Sequence, residues 1–348
     1  MTQPPPPRSG AQRRRSPTRP LAALGAVLVV VQAWTWGAWL RDGPAQVTRF
    51  QDPQDFTFKA ARVMEAAAGV AFVAMAGWIV RRCVEERRLI FDAKLFLAGL
   101  SALWLDGWTN FVAPIWFYNS NFTNTPPPTA YLPGVINPVM KDMPFPTVFH
   151  LFNYPLACVG AGIVVSALLT RLRRRFPAWS TARLLGLCAL FGMVFDVIYE
   201  SFMIRTGLWA FPGTPDRLAL WGSQAGKFPI FEIVPAGLAF AAFGALRFFR
   251  DDRGDHPTER GLGDERPGRR AVVSLLATVA VINLLWMAMC TIQVVAGFYA
   301  SPYKPMQPAL VAGICDGPLE GGGQRTGTRY GPCPQEGRPL PVRRIAAR

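Results

Sequence analysis

The sequence predicts an all-α protein: a polytopic transmembrane helix bundle of about seven spans, N-terminus inside and C-terminus outside. Three observations predict it. Seven apolar stretches of about 20 residues or more recur along the chain, each long enough for the ~30 Å hydrocarbon core of a bilayer. The arginines gather in short runs beside alternate ends of these stretches, as the positive-inside rule requires. The chain is 51% hydrophobic with a mean hydropathy of +0.19, which suits a multi-pass cell-membrane protein better than a soluble globule.

The elements follow in order. Residues 1–19, rich in Pro and Arg, read as a disordered cytoplasmic tail. The bundle is expected over 20–300. Its first stretch, 21–40, follows Arg13, Arg14, Arg15 and Arg19. It reads as an anchor rather than a cleaved signal, because the apolar run is too long and no small-x-small site follows Leu40. The second and third stretches, 61–80 and 89–108, bracket Arg81, Arg82, Arg87 and Arg88. The long outer loop 109–148 carries only Lys141 and is rich in aromatics, Asn and Pro. It reads either as an aromatic belt on the membrane surface or as a lid over the bundle.

The fourth stretch, 149–170, precedes Arg171, Arg173, Arg174 and Arg175. The fifth and sixth run over 182–203 and 228–249. A charged cytoplasmic connector over 251–270 leads to the seventh, 271–299. Residues 301–348 read as an outer Gly- and Pro-rich tail, where a disulfide between Cys315 and Cys333 is expected. Cys158, Cys188 and Cys290 are expected to pack within the membrane, and Cys83 lies on the cytoplasmic side. The net charge of +15 does not point to nucleic acid, because the basic residues flank apolar stretches rather than forming one basic face. With His150 and His256 as the two histidines and no CxxC spacing, no metal site is expected.

Carboxylates inside apolar stretches are the candidates for function, since each costs a few kcal/mol or more in hydrocarbon. Asp196 and Glu200, at i and i+4 in FDVIYESF, share one helical face with Tyr199 beside them. Two close carboxylates in low dielectric repel when both are charged, so one is expected to keep its proton, as acid–base catalysis needs. An ion pair with Arg205 or another basic group near the outer surface is the plainer alternative. Asp106 and Asn110 repeat the spacing in LDGWTNF; a helix end facing interfacial water is the alternative there. Glu232 stands just before Pro235, either at a bent helix or as a first-turn carboxylate on the helix dipole. His150 and Asn153 begin the fourth stretch in HLFNYP, where His150 is either a tuned acid–base group or a structural hydrogen-bonder. Glu65, near the outer end of the second stretch, is the weakest member. Asp92 and Lys94 are expected to snorkel to the inner surface. The predicted topology places all these candidates except Asp92 and Lys94 on the outer side.

At the same residues a family resemblance emerges. DGWTNFVAPIWFYN over 106–119, Pro133-Gly134, NYP over 153–155, FDVIYESFMIRTGLWAF, GKFPIFE ending at Glu232, RFFRDDRG from Arg247 and YGPCP over 330–334 occur in this order. The set resembles the AveC family of membrane spirocyclases over roughly residues 60–335. Gly107, Phe111 and the stretch Thr125–Pro128 depart from the family pattern. The resemblance implies an integral membrane protein of actinobacterial type that closes a spiroketal from a dihydroxy-ketone polyketide or removes water. It also implies functional roles for Asp106, Asn110, Tyr118, Asn119, Asp196, Glu200, Arg205 and Glu232. The chemistry expected is cofactor-independent acid–base cyclisation or dehydration, with Glu200 as acid and Asp196 as base or cation stabiliser. Asp106 and Glu232 would support them. Asn110, Tyr118, Asn119, His150, Asn153, Tyr199 and Arg205 would position a hydrophobic, polyketide- or lipid-like substrate. Two other readings use the same residues: a proton- or cation-coupled transporter, and a non-catalytic membrane sensor or subunit. Oligomeric state is not legible.

Overall fold

The computed structural model describes residues 16–45, 54–137, 140–301, 304, 306–311, 327–328 and 331–332. Seven helices build the bundle: α1 (Thr18–Asp42), α2 (Phe56–Glu85), α3 (Phe91–Ala102), α4 (Thr147–Arg175), α5 (Thr181–Arg205), α6 (Ile230–Phe248) and α7 (Pro267–Gly297). All but α3 are long and apolar enough to cross a membrane. Local signals set several ends. Asp55 caps α2 by accepting from the Thr57 N–H at 2.9 Å, and Ser180 caps α5 by accepting from the Arg183 N–H. Gly43 ends α1 with φ of 71°, a left-handed turn that glycine adopts without penalty. Pro267 opens α7, where its missing N–H costs nothing.

The third expected stretch is not one α-helix. α3 stops after 12 residues and runs into an eight-residue 3-10 segment, Leu103–Asn110. At ~1.5 and ~2.0 Å per residue, the two together reach about 34 Å, enough for the bilayer core. Side chains from elsewhere engage this tighter segment. Trp104 donates to Asn283 Oδ1 at 3.0 Å, and the Thr129 hydroxyl donates to the Trp104 carbonyl. α3 is the buried centre of the bundle, packed between α4 and α7.

α1 lies along α7, and α6 packs on both α4 and α5. Small residues permit these approaches, since helices in lipid gain little from burying apolar surface and must gain from close packing. A Cβ at Gly25 would lie 1.9 Å from the Leu276 carbonyl oxygen, and one at Gly237 would lie 2.5 Å from that of Ala189.

The loop expected over 109–148 is a folded cap rather than a surface belt. Val112, Ala113 and most of Ile115–Phe122 are buried. Its strand β1 (Phe117–Tyr118) pairs antiparallel with β2 (Trp209–Ala210) from the α5–α6 connection. At the opposite end, the 251–270 region is ordered against the helices, burying Asp255, His256, Thr258, Glu259 and Leu262. Asp92 and Lys94 do not snorkel. Lys94 is buried and donates to Glu259 at 2.5 Å, while Arg247 clasps Asp92 at 2.8 and 3.2 Å. Both groups find partners within the fold, so neither needs to reach water. Cys315 and Cys333 lie outside the described residues. Cys83, Cys158, Cys188 and Cys290 are free thiols, the last three buried.

Candidate active site

Beneath the cap, a cavity of about 490 Å³ runs between α4, α5 and α6. Asp106, His150, Asn153, Asp196, Tyr199, Glu200 and Glu232 all line it. Helical periodicity explains much of this convergence. On α4, His150, Asn153, Tyr154, Ala157, Gly160, Ala161 and Val164 recur at three- or four-residue steps and form one face. On α5, Asp196 and Glu200 point the same way and are both buried. Glu232 sits in the first turn of α6, one turn before Pro235.

Asp106 is the most heavily partnered carboxylate. Tyr154 donates to its Oδ1 at 2.7 Å, and Tyr118 donates to its Oδ2. His150 Nε2 lies 3.4 Å from the same Oδ2. Burial first, then the neighbouring Asp106 charge, holds the Tyr118 phenol well above its ordinary range, so it stays a donor. The β1–β2 ribbon delivers two of the site's hydrogen bonds as a cross-strand pair. Tyr118 stands opposite Trp209. Tyr118 reaches Asp106, and Trp209 Nε1 donates to Glu200 Oε2 at 2.7 Å.

Other polar atoms facing this region make no hydrogen bond to a described residue. Among the described residues, both ring nitrogens of His150 lack a hydrogen bond, as do Asp196 Oδ2 and Glu232 Oε2. Buried polar atoms are normally satisfied, so orphans gathered in one cavity are groups left open to water or a ligand. Neither Lys nor Arg lines the cavity among the described residues. Nor, among those residues, are three His, Cys, Asp or Glu side chains grouped to hold a metal ion.

Four of the expected substrate-binding residues do not line the cavity. Asn110 and Asn119 build the ribbon. Asn110 Oδ1 accepts from the Ile115 and Trp116 N–H groups, and its Nδ2 donates to the Trp116 carbonyl. Asn119 donates to the Gly207 carbonyl at 2.8 Å and accepts from the Asn121 N–H. Arg205 donates to Gln224 and lies over the Trp221 ring, 4.1 Å from its centroid. Tyr118 does not line the cavity and acts on it through Asp106. Glu65 is also outside, paired with Arg62 and accepting from the Thr123 N–H at 2.5 Å. Tyr154 and Trp209 are site residues that the sequence alone does not mark. They stand inside NYP and GLWAF, but an aromatic in an apolar stretch is ordinarily packing.

The spirocyclase AveC-like family model matches residues 86–309. The chain belongs to this family. The match runs from just before α3 to the segment after α7, so it contains every cavity residue and excludes Glu65 with α2. No curated protein and no solved structure matches the chain. For this AveC-like protein, the family and the apolar helices together describe a membrane spirocyclase-like molecule.

Proposed function

We propose that the protein is a membrane enzyme that cyclises or dehydrates a hydrophobic, oxygen-bearing substrate by acid–base catalysis. The observation that carries this reading is the gathering of Asp106, Asp196, Glu200 and Glu232 around one cavity that no described Lys or Arg lines. Carboxylates gathered without counter-cations suit a reaction that generates positive charge on the substrate.

Spiroketal closure is such a reaction. One hydroxyl of a dihydroxy-ketone adds to the carbonyl, giving a hemiketal of the same composition. An acid protonates the hemiketal hydroxyl, which departs as water and leaves an oxocarbenium ion. The second hydroxyl attacks that carbon, and a base takes its proton. One water is lost overall, and acid and base exchange roles. Glycosidic oxocarbenium ions are handled by a carboxylic acid and a carboxylate in the same way. Glu200, oriented by Trp209, serves as the acid, and Asp196, with its free Oδ2, as the base. Asp106, fixed by two phenols, and Glu232 stabilise the cation. His150, beside Asp106, orients the reacting hydroxyls. Loss of a proton from the carbon beside the oxocarbenium centre would instead give the dehydrated product with the same groups.

Mass spectrometry of lipid extracts tests this. Cells of a producing host express the wild type, Asp196→Asn, Glu200→Gln or nothing. The wild type alone should yield a species isomeric with its precursor or lighter by one water. Removing a general acid or base typically costs about 10²–10⁴ in rate, enough to erase that species in either variant. Four matching extracts, with the protein stably expressed, would overturn the reading.

A further inference from the structure

The cavity has two unlike halves. The carboxylates occupy one end. The other continues along α4 through Ala157, Gly160 and Val164, faced by Phe191 and Phe195 of α5. From His150 to Val164 the α4 face spans about 21 Å at ~1.5 Å per residue. α4 and α5 pack together near their 176–180 connection, through Leu169, Leu184 and Cys188. Beyond that contact the cavity lies between them, and Ala236 and Phe240 of α6 form its back wall.

The side chains at this apolar end are also part of the outer surface. Val164 is 50% exposed, Phe191 43% and Phe195 45%. They sit near the middle of helices that cross the bilayer, so the surface they share faces acyl chains rather than water. Asp196 and Glu200, by contrast, are 8% and 6% exposed and line the same cavity. A Cβ built at Gly160 meets no atom within 4 Å. Any larger side chain there would project into the slot.

We infer that the slot between α4 and α5 is a lateral portal from the bilayer core for an uncharged amphiphile. Its long apolar chain lies along Gly160 and Val164, and its hydroxyl or keto head reaches the carboxylates. Charge selects the head. An anionic phosphate or carboxylate would be brought among four carboxylates in low dielectric, with no described Lys or Arg at the cavity wall to offset the repulsion. Gly160 sets how much chain fits. The inference rests on the cyclase reading for what happens to the head, while binding and access stand apart from turnover.

Photolabelling of the full-length protein in phosphatidylcholine nanodiscs tests it. The probes are a long-chain fatty alcohol with a diazirine near its chain end, the matching fatty acid, and a phosphatidylcholine carrying the same diazirine chain. The alcohol should label residues 157–164, Phe191 and Phe195 roughly tenfold more than the acid, a difference of ~1.4 kcal/mol in binding. The phosphatidylcholine should label the exposed α2 belt at Val70 and Val73 without favouring the slot. Gly160→Phe should remove most slot labelling by the alcohol and leave α2 labelling unchanged. Val164→Trp, at the exposed mouth, repeats the test should the first variant fold poorly. Acid or phospholipid labelling of the slot as strong as the alcohol's would overturn the portal. So would slot labelling that a folded variant leaves unchanged. Because labelling needs no turnover, a labelled slot in a protein that forms no product sinks the cyclase reading alone. Product without slot enrichment sinks the portal alone.

Discussion

The two ends of the bundle treat buried charge in opposite ways. At the end away from the cap, which the arginine runs predict to be the inner one, Asp92, Asp255 and Glu259 each have a cation. Lys94 and Glu259 meet at 2.5 Å with side chains 4% and 7% exposed, Arg247 clasps Asp92, and Arg270 pairs with Asp255. Glu259 also accepts from the His256 N–H. In the cavity, Asp106 accepts from two phenols and Glu200 from an indole. Asp196 Oδ2 and Glu232 Oε2 accept from nothing among the described residues. Within 4.0 Å of these four carboxylates, His150 is the sole basic group among those residues. Burying a charge is costly unless it is paired. The paired groups fix how the inner segment docks on the helices. The unpaired ones hold a cost that a proton relieves, as would the cation-forming substrate proposed above.

The contrast breaks first on function. Asp196→Asn and Glu200→Gln should lose about 10²–10⁴ of product formation while melting close to the wild type in detergent, since neither carboxylate has a described Lys or Arg partner that the amide would leave unpaired. Lys94→Met should do the reverse. It leaves Glu259 buried without its cation and should cost about 3–5 kcal/mol of stability, read as a lowered melting temperature. Lys94→Met combined with Glu259→Gln should recover most of that loss. If the carboxylate variants unfold and Lys94→Met melts normally, the assignment of the two ends is inverted.

The sequence made some of this legible and hid the rest for identifiable reasons. Apolar length and arginine runs located the helices, because both follow from local composition. Asp196 and Glu200 were readable because four residues make one helical turn. The partners were not readable. Arg247 lies 155 residues from Asp92, and Glu259 lies 165 from Lys94, so tertiary packing alone decides that these groups pair instead of snorkelling. The break at Leu103 is engaged by a hydroxyl donor, Thr129, and an amide acceptor, Asn283, contributed by other segments. Asn110 and Asn119 carry motif positions that resemble binding residues, yet their polar atoms are spent on ribbon backbone. Tyr154 and Trp209 gain their roles only once α4 and β2 face the carboxylates.

A smaller effect sharpens the inner end. His256 stacks on Phe91, with ring centroids 3.9 Å apart, and burial pushes its imidazole down to about 4. Its Glu259 neighbour pulls it up and Arg250 pushes it further down. Unfolded, the ring binds a proton near 6.5. The folded state therefore disfavours the protonated ring. Its contribution is complete above pH 6.5 and is lost as pH falls toward 4. About 3 kcal/mol is at stake as an upper figure. Glu259 acts in the same sense. Against the upward push of burial, Lys94 holds it below the usual carboxylate range, so its stabilisation is also lost in acid. Melting temperature should fall between pH 6.5 and 4, and His256→Phe, which keeps a ring against Phe91, should flatten that fall. An unchanged pH profile in this variant would remove His256 from the account.

The smallest effect concerns Arg205, the cation nearest in sequence to Glu200. It stands only five residues beyond Glu200, yet its guanidinium donates to Gln224 and lies over Trp221. Its side chain is away from the cavity lining. An exposed hydrogen bond and a surface cation–π contact together contribute about 0.5–1 kcal/mol. Arg205→Ala should therefore lower the melting temperature slightly and leave product formation within roughly twofold of the wild type, in line with surface substitutions generally. A collapse of activity in a stably folded Arg205→Ala protein would mean that a cation does serve the carboxylates during turnover. The distinction between a paired inner end and an unpaired cavity would then fail at its active side, whatever the inner pairs do for stability.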